Sequence, residues 1–273
     1  MGIFSPKASR PVKGILTPNG LGPVMQLIES VSLRPNFKSM RRTLFVLTIL
    51  LSSFSLFSQN LQLHYDLGKD RKYLTSTFEY FNPDKYGTTF LFVDMDYGAG
   101  DVKGMSSAYW EVSRGLKFWK APFAFHIEYN GGFMQFIQGD FARALQFNDA
   151  WLTGIEYNYN NETFTKGLTL MALYKNIRDK NDLSFQLTGV WYIHFLKNKM
   201  TFSGFADFWR EDNVFPKDNL VSETNFVFLA EPQIWYNFAK HFSAGSEIEL
   251  SSNFAGVKGF QVNPTLAVKW KIE

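Results

Sequence analysis

The chain contains no cysteine and only four histidines. The absence of cysteine excludes disulfide bonds, thiolate metal sites and a cysteine nucleophile. The sequence also lacks a glycine-rich phosphate loop between a strand and a helix, and it lacks metal ligands at a defined spacing. We therefore expect no cofactor and no bound metal. A composition that is 45% hydrophobic and 18% aromatic excludes a disordered chain.

Positive charge is scarce outside the N-terminal region. Residues 1–58 contain seven lysines and arginines against the single acidic residue Glu29, whereas residues 59–273 contain 21 basic and 24 acidic residues. A nucleic-acid-binding surface needs a basic stripe that neutralises phosphates. The mildly acidic main part of the chain therefore predicts that nucleic acid is not a partner.

The N-terminal region has the pattern of a targeting segment. Arg41 and Arg42 precede an apolar stretch over residues 44–57, which ends at Ser58. This pattern predicts a secretory signal peptide over 40–58, and the apolar stretch is shorter than the roughly 20 residues of a membrane-spanning helix. Residues 1–39 show no sustained period, and we interpret them as a mis-assigned translation start or a disordered extension. The folded domain is expected over 59–273.

Beyond residue 60 the dominant pattern is alternation of apolar and polar residues. In residues 123–129, for example, Phe123, Phe125 and Ile127 share one face, while His126 and Glu128 share the other. Such alternation predicts strands, and no helical period of useful length occurs. The predicted strands number twelve and cover residues 60–68, 71–81, 86–97, 106–118, 121–132, 149–159, 164–175, 182–195, 199–211, 223–237, 241–251 and 259–272.

The connections between these strands alternate between short and long. Short links such as 197–198 and 238–240 alternate with longer ones such as 133–148 and 212–222. Short turns at one end and long loops at the other are typical of outer-membrane barrels. The sequence therefore predicts an all-β fold, a single transmembrane antiparallel β-barrel of about twelve strands. An even strand number places both termini on the periplasmic, short-turn side.

The two faces of the strands differ in charge. The apolar face is almost uninterrupted and ends in aromatic residues such as Tyr129, Trp151 and Trp270, which suits interfacial girdles. The polar face carries the carboxylates Glu79, Asp94, Asp96, Glu111, Glu128, Glu156, Asp207, Glu231, Glu247 and Glu249. This contrast favours a barrel in the outer membrane of a Gram-negative bacterium, with lipid as its partner. The alternative is a soluble exported barrel with its apolar face inward.

The polar face also carries aromatic side chains, and the charged residues Arg114, His126 and His194 are assigned to it. Its aromatic residues are Phe90, Phe92, Tyr109, Tyr192, Phe205, Trp209 and Trp235. Rings beside carboxylates suit a planar polar solute such as a nucleobase or a sugar. The alternative is a narrow interior packed by large side chains and joined by ion pairs, for example between Glu111 or Glu128 and Arg114 or Lys117.

Several segments resemble a known family. They are residues 76–81 (STFEYF), 89–96 (TFLFVDMD), 109–118 (YWEVSRGLKF), 204–212 (GFADFWRED) and the closing strand 262–272. The chain resembles the Tsx-type nucleoside-specific channel-forming proteins of Gram-negative outer membranes, and more closely an uncharacterised Bacteroidota group of outer-membrane proteins similar to that superfamily. The strongest motifs lie in 76–118, and the resemblance extends over 60–273 at the level of pattern.

This resemblance implies a monomeric twelve-stranded barrel that is inserted by the barrel-assembly machinery and passes small polar solutes, nucleosides first. The residues that match the family's lumen positions are Glu79, Phe90, Phe92, Asp94, Glu111 and Arg114. One departure is the C-terminus, which ends in Lys271, Ile272 and Glu273 instead of the terminal aromatic residue of the usual assembly signature.

An enzyme is the alternative function, since some outer-membrane barrels are lipases or proteases. The only His-x-Ser sequence is at His241 and Ser243, in a predicted turn, and we interpret it as ordinary turn chemistry. His64, His126 and His194 lie singly on different strands, although three histidines could converge on a metal. We therefore expect no enzymatic activity.

The connection 133–148 is unusually apolar for a loop, with aromatic residues at 133, 136, 141 and 147. Two interpretations remain open. It folds inward as a constriction of a channel, or it is displayed outward and packs on a partner at the cell surface.

Overall fold

A computed structural model of the chain describes residues 58–69, 71–147, 149–180, 184–213 and 223–272. The segment 1–39 and, except for Ser58, the predicted signal peptide lie outside the described residues, as does most of the connection 212–222. None of the described residues belongs to a helix that is long and apolar enough to span a membrane.

The described residues form strands joined by turns and loops. The strands are β1 Ser58–Asp66, β2 Leu74–Asp84, β3 Gly87–Tyr97, β4 Met105–Leu116, β5 Phe123–Gln138, β6 Phe141–Gln146, β7 Ala150–Asn160, β8 Lys166–Ile177, β9 Ser184–Phe195, β10 Met200–Asn213, β11 Glu223–Ala230, β12 Gln233–Tyr236, β13 Phe242–Ser252 and β14 Phe260–Ile272.

These strands close into a twelve-stranded antiparallel barrel, as the alternation predicts. The last strand, β14, pairs with β1 from Gln59 opposite Ile272 to Asp66 opposite Thr265. β11 and β12 occupy one strand position, since both pair with β10 on one side and β13 on the other. β6 pairs only with β5 and adds nothing to the closure.

The interruption between β11 and β12 has a local cause. Pro232 has no backbone N–H to donate to a neighbouring strand. Opposite the break, Gly204 has a φ of +152°, and a Cβ there would lie 2.4 Å from the carbonyl oxygen of Glu231. The barrel stays closed because the Glu231 N–H donates to Phe205 and the Ile248 N–H donates to Pro232. The predicted single strand over 223–237 is therefore one strand position with a break.

The side chains on the barrel exterior are apolar and those inside are polar. On β1, Leu61, Leu63 and Tyr65 are 40%, 43% and 42% exposed. His64 and Asp66, on the other face of the strand, are 3% and 4% exposed. A water-soluble protein shows the reverse arrangement. An apolar exterior around a charged interior is the arrangement of outer-membrane barrels, where the exterior contacts lipid. The predicted fold and the outer-membrane location are confirmed.

The two ends of the barrel differ in the length of their connections. Both Ser58 and Ile272 lie at the end that carries the turns 85–86, 161–165 and 196–199. The opposite end carries the connections 67–73, 98–104 and 253–259 and the β5–β6 hairpin. We call these the short-turn end and the long-loop end.

The connection predicted over 133–148 is a hairpin of two strands up to residue 146. β5 continues to Gln138 after its pairing with β7 ends at Asn130, and β6 pairs back along it from Phe141 to Gln146. All six residues of β6 are exposed. The segment is therefore a two-stranded ribbon that extends β5 past the barrel wall, and it does not fold inward as a constriction.

Candidate functional site in the barrel interior

Five of the six residues predicted to bind solute share one wall of the interior. They lie on β2, β3 and β4, where Glu79 is opposite Phe92 and Phe92 is in turn opposite Glu111. Successive side chains of a strand point to opposite faces, so residues two apart share a face. We define the inner wall of β2–β4 as Glu79, Phe90, Phe92, Asp94, Tyr109 and Glu111.

Arg114, the sixth predicted residue, is on the outside, and its assignment to the lumen is wrong. It pairs in register with Ile127, an exposed residue of the apolar exterior. Its guanidinium forms an ion pair of 2.8 Å with Asp84 and donates a hydrogen bond of 2.7 Å to Thr89 near the short-turn end. The sequence contained the signal, because residues 111 and 114 are three apart and cannot share a face of a strand.

The aromatic rings of the wall form a short ladder. The ring centroids of Phe90 and Phe92 are 6.4 Å apart with an interplanar angle of 13°, and Phe92 meets Tyr109 edge to face at 6.4 Å. Both separations lie within the range of attractive aromatic contacts. The ladder therefore presents apolar ring surface beside the wall's carboxylates.

The carboxylates of this wall accept hydrogen bonds from neutral groups. Asn60 donates to Glu79 at 2.7 Å, Thr77 donates to Asp94, and the Tyr109 hydroxyl donates to Glu111 at 2.8 Å. Among the described residues, no lysine, arginine or histidine forms an ion pair with these three carboxylates. No direct contact with a cation of the described residues therefore compensates these three carboxylates.

Asn130 extends the wall onto β5 and was missed by the sequence reasoning. It lies directly opposite Glu111, its side chain is 6% exposed, and its Oδ1 has no hydrogen-bond partner. Buried polar atoms in folded proteins nearly always have a partner, so this oxygen is an unusual feature. Its inward position follows from the same alternation that places Glu128 inside.

A separate network lies on β5 and β7. Nδ1 of His126 is 2.7 Å from Glu156, and its Nε2 is 3.1 Å from Glu128. Asn158 donates a further hydrogen bond of 2.9 Å to Glu156. All three members of the ion-paired cluster are buried, so this sector is a cross-linked part of the interior.

Two lysines inside the barrel contact tryptophan rings. Nζ of Lys175 lies 4.3 Å from the ring centroid of Trp209, and Nζ of Lys269 lies 4.0 Å from that of Trp235. Both distances are within the range of cation–π attraction. The sequence reasoning did not single out these lysines, although their parity on β8 and β14 places them inside.

At the long-loop end, Arg71 reaches from the β1–β2 connection to β13. Its guanidinium binds both carboxylate oxygens of Glu249, at 2.7 and 3.0 Å, and also lies 3.1 Å from Asp66. Burial disfavours the charged guanidinium, but the hydrogen bonds and the charge of Glu249 outweigh this and raise the pKa of Arg71. The bidentate contact fixes this connection to the barrel wall.

The short-turn end carries a basic cavity of about 520 Å³. Its lining includes the predicted lumen residue His194 and the lysines Lys197, Lys199, Lys240 and Lys271.

The other histidines contact separate partners. His241 contacts the backbone carbonyl oxygen of Lys271, whereas the Ser243 hydroxyl donates to Asn237 at 2.7 Å. His64 contacts Gln62 and Thr265, apart from His126. Within the described ranges, no three histidine or acidic side chains are grouped closely enough to hold a metal ion.

Part of the interior is apolar. Ala150, Leu152, Leu173 and Ile177 pack together on the inner face of β7 and β8, with Met171 against them. This cluster was not predicted. It lies two and three strand positions beyond β4 in the barrel order.

The comparisons with solved structures concern outer-membrane barrels. The KdgM porin in complex with disordered oligogalacturonate matches with a TM-score of 0.44 at 13% identity, over 79% of this chain and 99% of that one. Omp33 of Acinetobacter baumannii matches with a TM-score of 0.39 at 14% identity, over 79% and 97%. A loop-deletion mutant of OmpT, an outer membrane protein of Vibrio cholerae, has a TM-score of 0.37 at 9% identity, over 80% and 98%.

No curated protein matches the chain. A family model does match, and it covers residues 58–272, the whole of the barrel. The chain belongs to the family described as "Domain of unknown function (DUF5020)".

Proposed function

We propose that the barrel is a passive, selective channel for small polar solutes in the outer membrane. The observation that carries this proposal is the inner wall of β2–β4, where the Phe90, Phe92 and Tyr109 rings lie beside Glu79, Asp94 and Glu111. A channel for small ions in bulk water has no need of aromatic rings at its wall. Rings beside carboxylates are suited to a solute with a flat face and hydrogen-bond donors at its edge.

Nucleosides are the first solute class of this proposal. A nucleobase stacks on an aromatic ring, and ribose hydroxyls donate hydrogen bonds to carboxylates. The resemblance of segments 76–81, 89–96 and 109–118 to Tsx-type channels supports the same class. The proposal further takes the barrel to be a monomer that is inserted by the barrel-assembly machinery and has no enzymatic activity.

Single-channel conductance of the refolded chain in planar bilayers tests the proposal. We expect a small conductance that adenosine and thymidine block and that a disaccharide does not. Replacing Phe92 by alanine should weaken the nucleoside block about tenfold, because base stacking on an aromatic ring contributes about 1–3 kcal/mol. The matched control is Phe205→Ala. It removes a ring that also points into the barrel, but from β10, which is not part of the inner wall of β2–β4. A conducting barrel that nucleosides do not block would contradict the nucleoside assignment.

A packed, non-conducting barrel is the second candidate. The observation that favours it is the apolar cluster of Leu152, Leu173 and Ile177 inside the barrel, together with the fully buried Trp235. A folded barrel that shows heat-dependent migration in gels but no conductance would support this structural or surface-binding role and exclude the channel.

A further inference from the structure

The wall around Glu111 has more hydrogen-bond acceptors than donors. Among the described residues, the only hydrogen bond to Glu111 comes from the Tyr109 hydroxyl. Directly opposite, Oδ1 of Asn130 is buried and unpartnered. Buried acceptors without partners destabilise a structure unless a donor reaches them. Glu111 and Asn130 can therefore accept hydrogen bonds from a donor that is not part of the chain.

The ion pairs of the interior indicate which kind of donor fits Glu111. Two other interior carboxylates are held by cations of the chain, since Glu249 binds Arg71 and Glu156 contacts His126. Glu111 has no such ion pair among the described residues. Hydrogen bonds between a positively charged donor and a carboxylate are stronger than neutral ones. A positively charged donor is therefore the best complement to this position.

The rings beside Glu111 are also available to a cation. Inside the same barrel, Trp209 and Trp235 each carry the ammonium group of a lysine over the ring. Within the part of the chain that the structure describes, no lysine or arginine lies over Phe92 or Tyr109. An ammonium group near Glu111 would gain the same cation–π attraction from these rings.

The composition of the wall favours an organic cation over a metal ion. The described residues contain no group of three or more histidine or acidic side chains that could hold a metal. Calcium takes six to eight oxygen ligands in protein sites, whereas an ammonium group is satisfied by two or three acceptors. The adjacent rings add apolar contact for the body that carries the ammonium group.

We propose that Glu111, Oδ1 of Asn130 and the rings of Phe92 and Tyr109 form a binding site for a solute that carries an organic ammonium group on a flat apolar body. This inference rests on the proposed function, since it names a class of solute that the channel selects. The carboxylate holds the ammonium group, Asn130 accepts a second N–H, and the body of the solute packs on the rings.

Equilibrium binding to the chain refolded in detergent micelles tests the site at pH 8. The probes are tyramine and tyrosol, which share the same phenol body and differ in an ammonium group against a neutral hydroxyl group. Isothermal titration calorimetry should show tyramine bound at least about tenfold more tightly than tyrosol. Glu111→Gln should abolish that difference. The control Glu162→Gln, at an exposed turn residue, should leave it unchanged.

Equal affinity for the two probes, or an unchanged preference in Glu111→Gln, would overturn the site. If Glu111→Gln does not fold, Asn130→Asp tests the same idea, because an added charge should strengthen the binding of tyramine alone. The binding assay does not depend on conductance. A barrel that conducts without preferring tyramine keeps the proposed function and loses the site, whereas one that prefers tyramine without conducting keeps the site and loses the channel.

Discussion

Nδ1 of His126 lies 2.7 Å from a carboxylate oxygen of Glu156, across the neighbouring strands β5 and β7. The same imidazole contacts Glu128 through Nε2 at 3.1 Å, so one ring separates two buried carboxylates. Removing one partner of a buried charged cluster leaves the others without compensation, which costs roughly 3–5 kcal/mol. We therefore expect His126→Ala to lower the free energy of unfolding by about that amount, as measured by urea unfolding in lipid vesicles.

His194→Ala is the matched control for this prediction. His194 also points inside, but it is only partly buried, and its ring contacts Thr201 at 2.9 Å. Loss of one ordinary hydrogen bond costs about 0.5–1.5 kcal/mol. Equal losses in the two variants would show that the carboxylates at Glu128 and Glu156 do not depend on His126.

The Asp149 carboxylate is the partner of the Arg178 guanidinium at the long-loop end, outside the strands. The hydrogen bond from Arg178 lowers the pKa of Asp149 below the usual value of an aspartate. Because the folded pKa is the lower one, the pair stabilises the fold above the usual pKa, and this contribution is lost as the pH falls through the folded pKa.

A carboxyl-detected NMR titration of Asp149 checks this shift. We expect its midpoint below the usual value of an aspartate, and Arg178→Gln should raise it toward that value. Since the pair is exposed to solvent, global stability should change little in this variant. A midpoint that is the same with and without Arg178 would rule out the ion pair in solution.

The barrel could be predicted from the sequence because successive side chains of a membrane-barrel strand point alternately to the lipid and to the interior. Twelve strand positions, the inward carboxylates and the inward rings all follow from this rule. The assignment of Arg114 to the lumen, which the family resemblance implied, departs from this rule. Near the end of a strand a charged residue finds polar partners, and here Asp84 and Thr89 supply them on the outer face.

The side-chain contacts between strands could not be predicted from the alternation. The unpartnered Asn130 opposite Glu111, and Lys175 over Trp209, depend on register and rotamers that no local alternation encodes. The ribbon formed by β5 and β6 was predicted as a loop. Its strands pair with each other at the barrel end, and both of their faces carry apolar residues, so the period of two is weak there.

Gly154 lies directly opposite His126 on β7, at a position with no room for a side chain. A Cβ there would be 2.1 Å from the backbone carbonyl oxygen of Ala172, and backbone atoms cannot move aside cheaply. We expect Gly154→Ala to destabilise the barrel by about 1–3 kcal/mol. In contrast, a Cβ at Gly189 would make an ordinary 3.7 Å contact with Leu170, so Gly189→Ala should change stability by no more than about 0.5 kcal/mol. Urea unfolding of both variants under the same conditions makes the comparison.

The β5–β6 ribbon should be dispensable for the barrel itself. The pairing between β5 and β7 that closes the barrel ends at Asn130 opposite Ala150, and β6 pairs with β5 alone. Replacing residues 135–146, which lie beyond the last pairing of β5 with β4, by a short Gly-Ser turn should therefore leave the heat-dependent gel migration and the urea midpoint of the barrel nearly unchanged. Because the ribbon's side chains are exposed instead of filling the interior, the single-channel conductance should also stay within about a factor of two. A several-fold increase in conductance would mean that the ribbon closes over the mouth of the barrel. Protease treatment of whole cells tests the same point directly, since a ribbon displayed outward should be cleaved and one that covers the mouth should be protected.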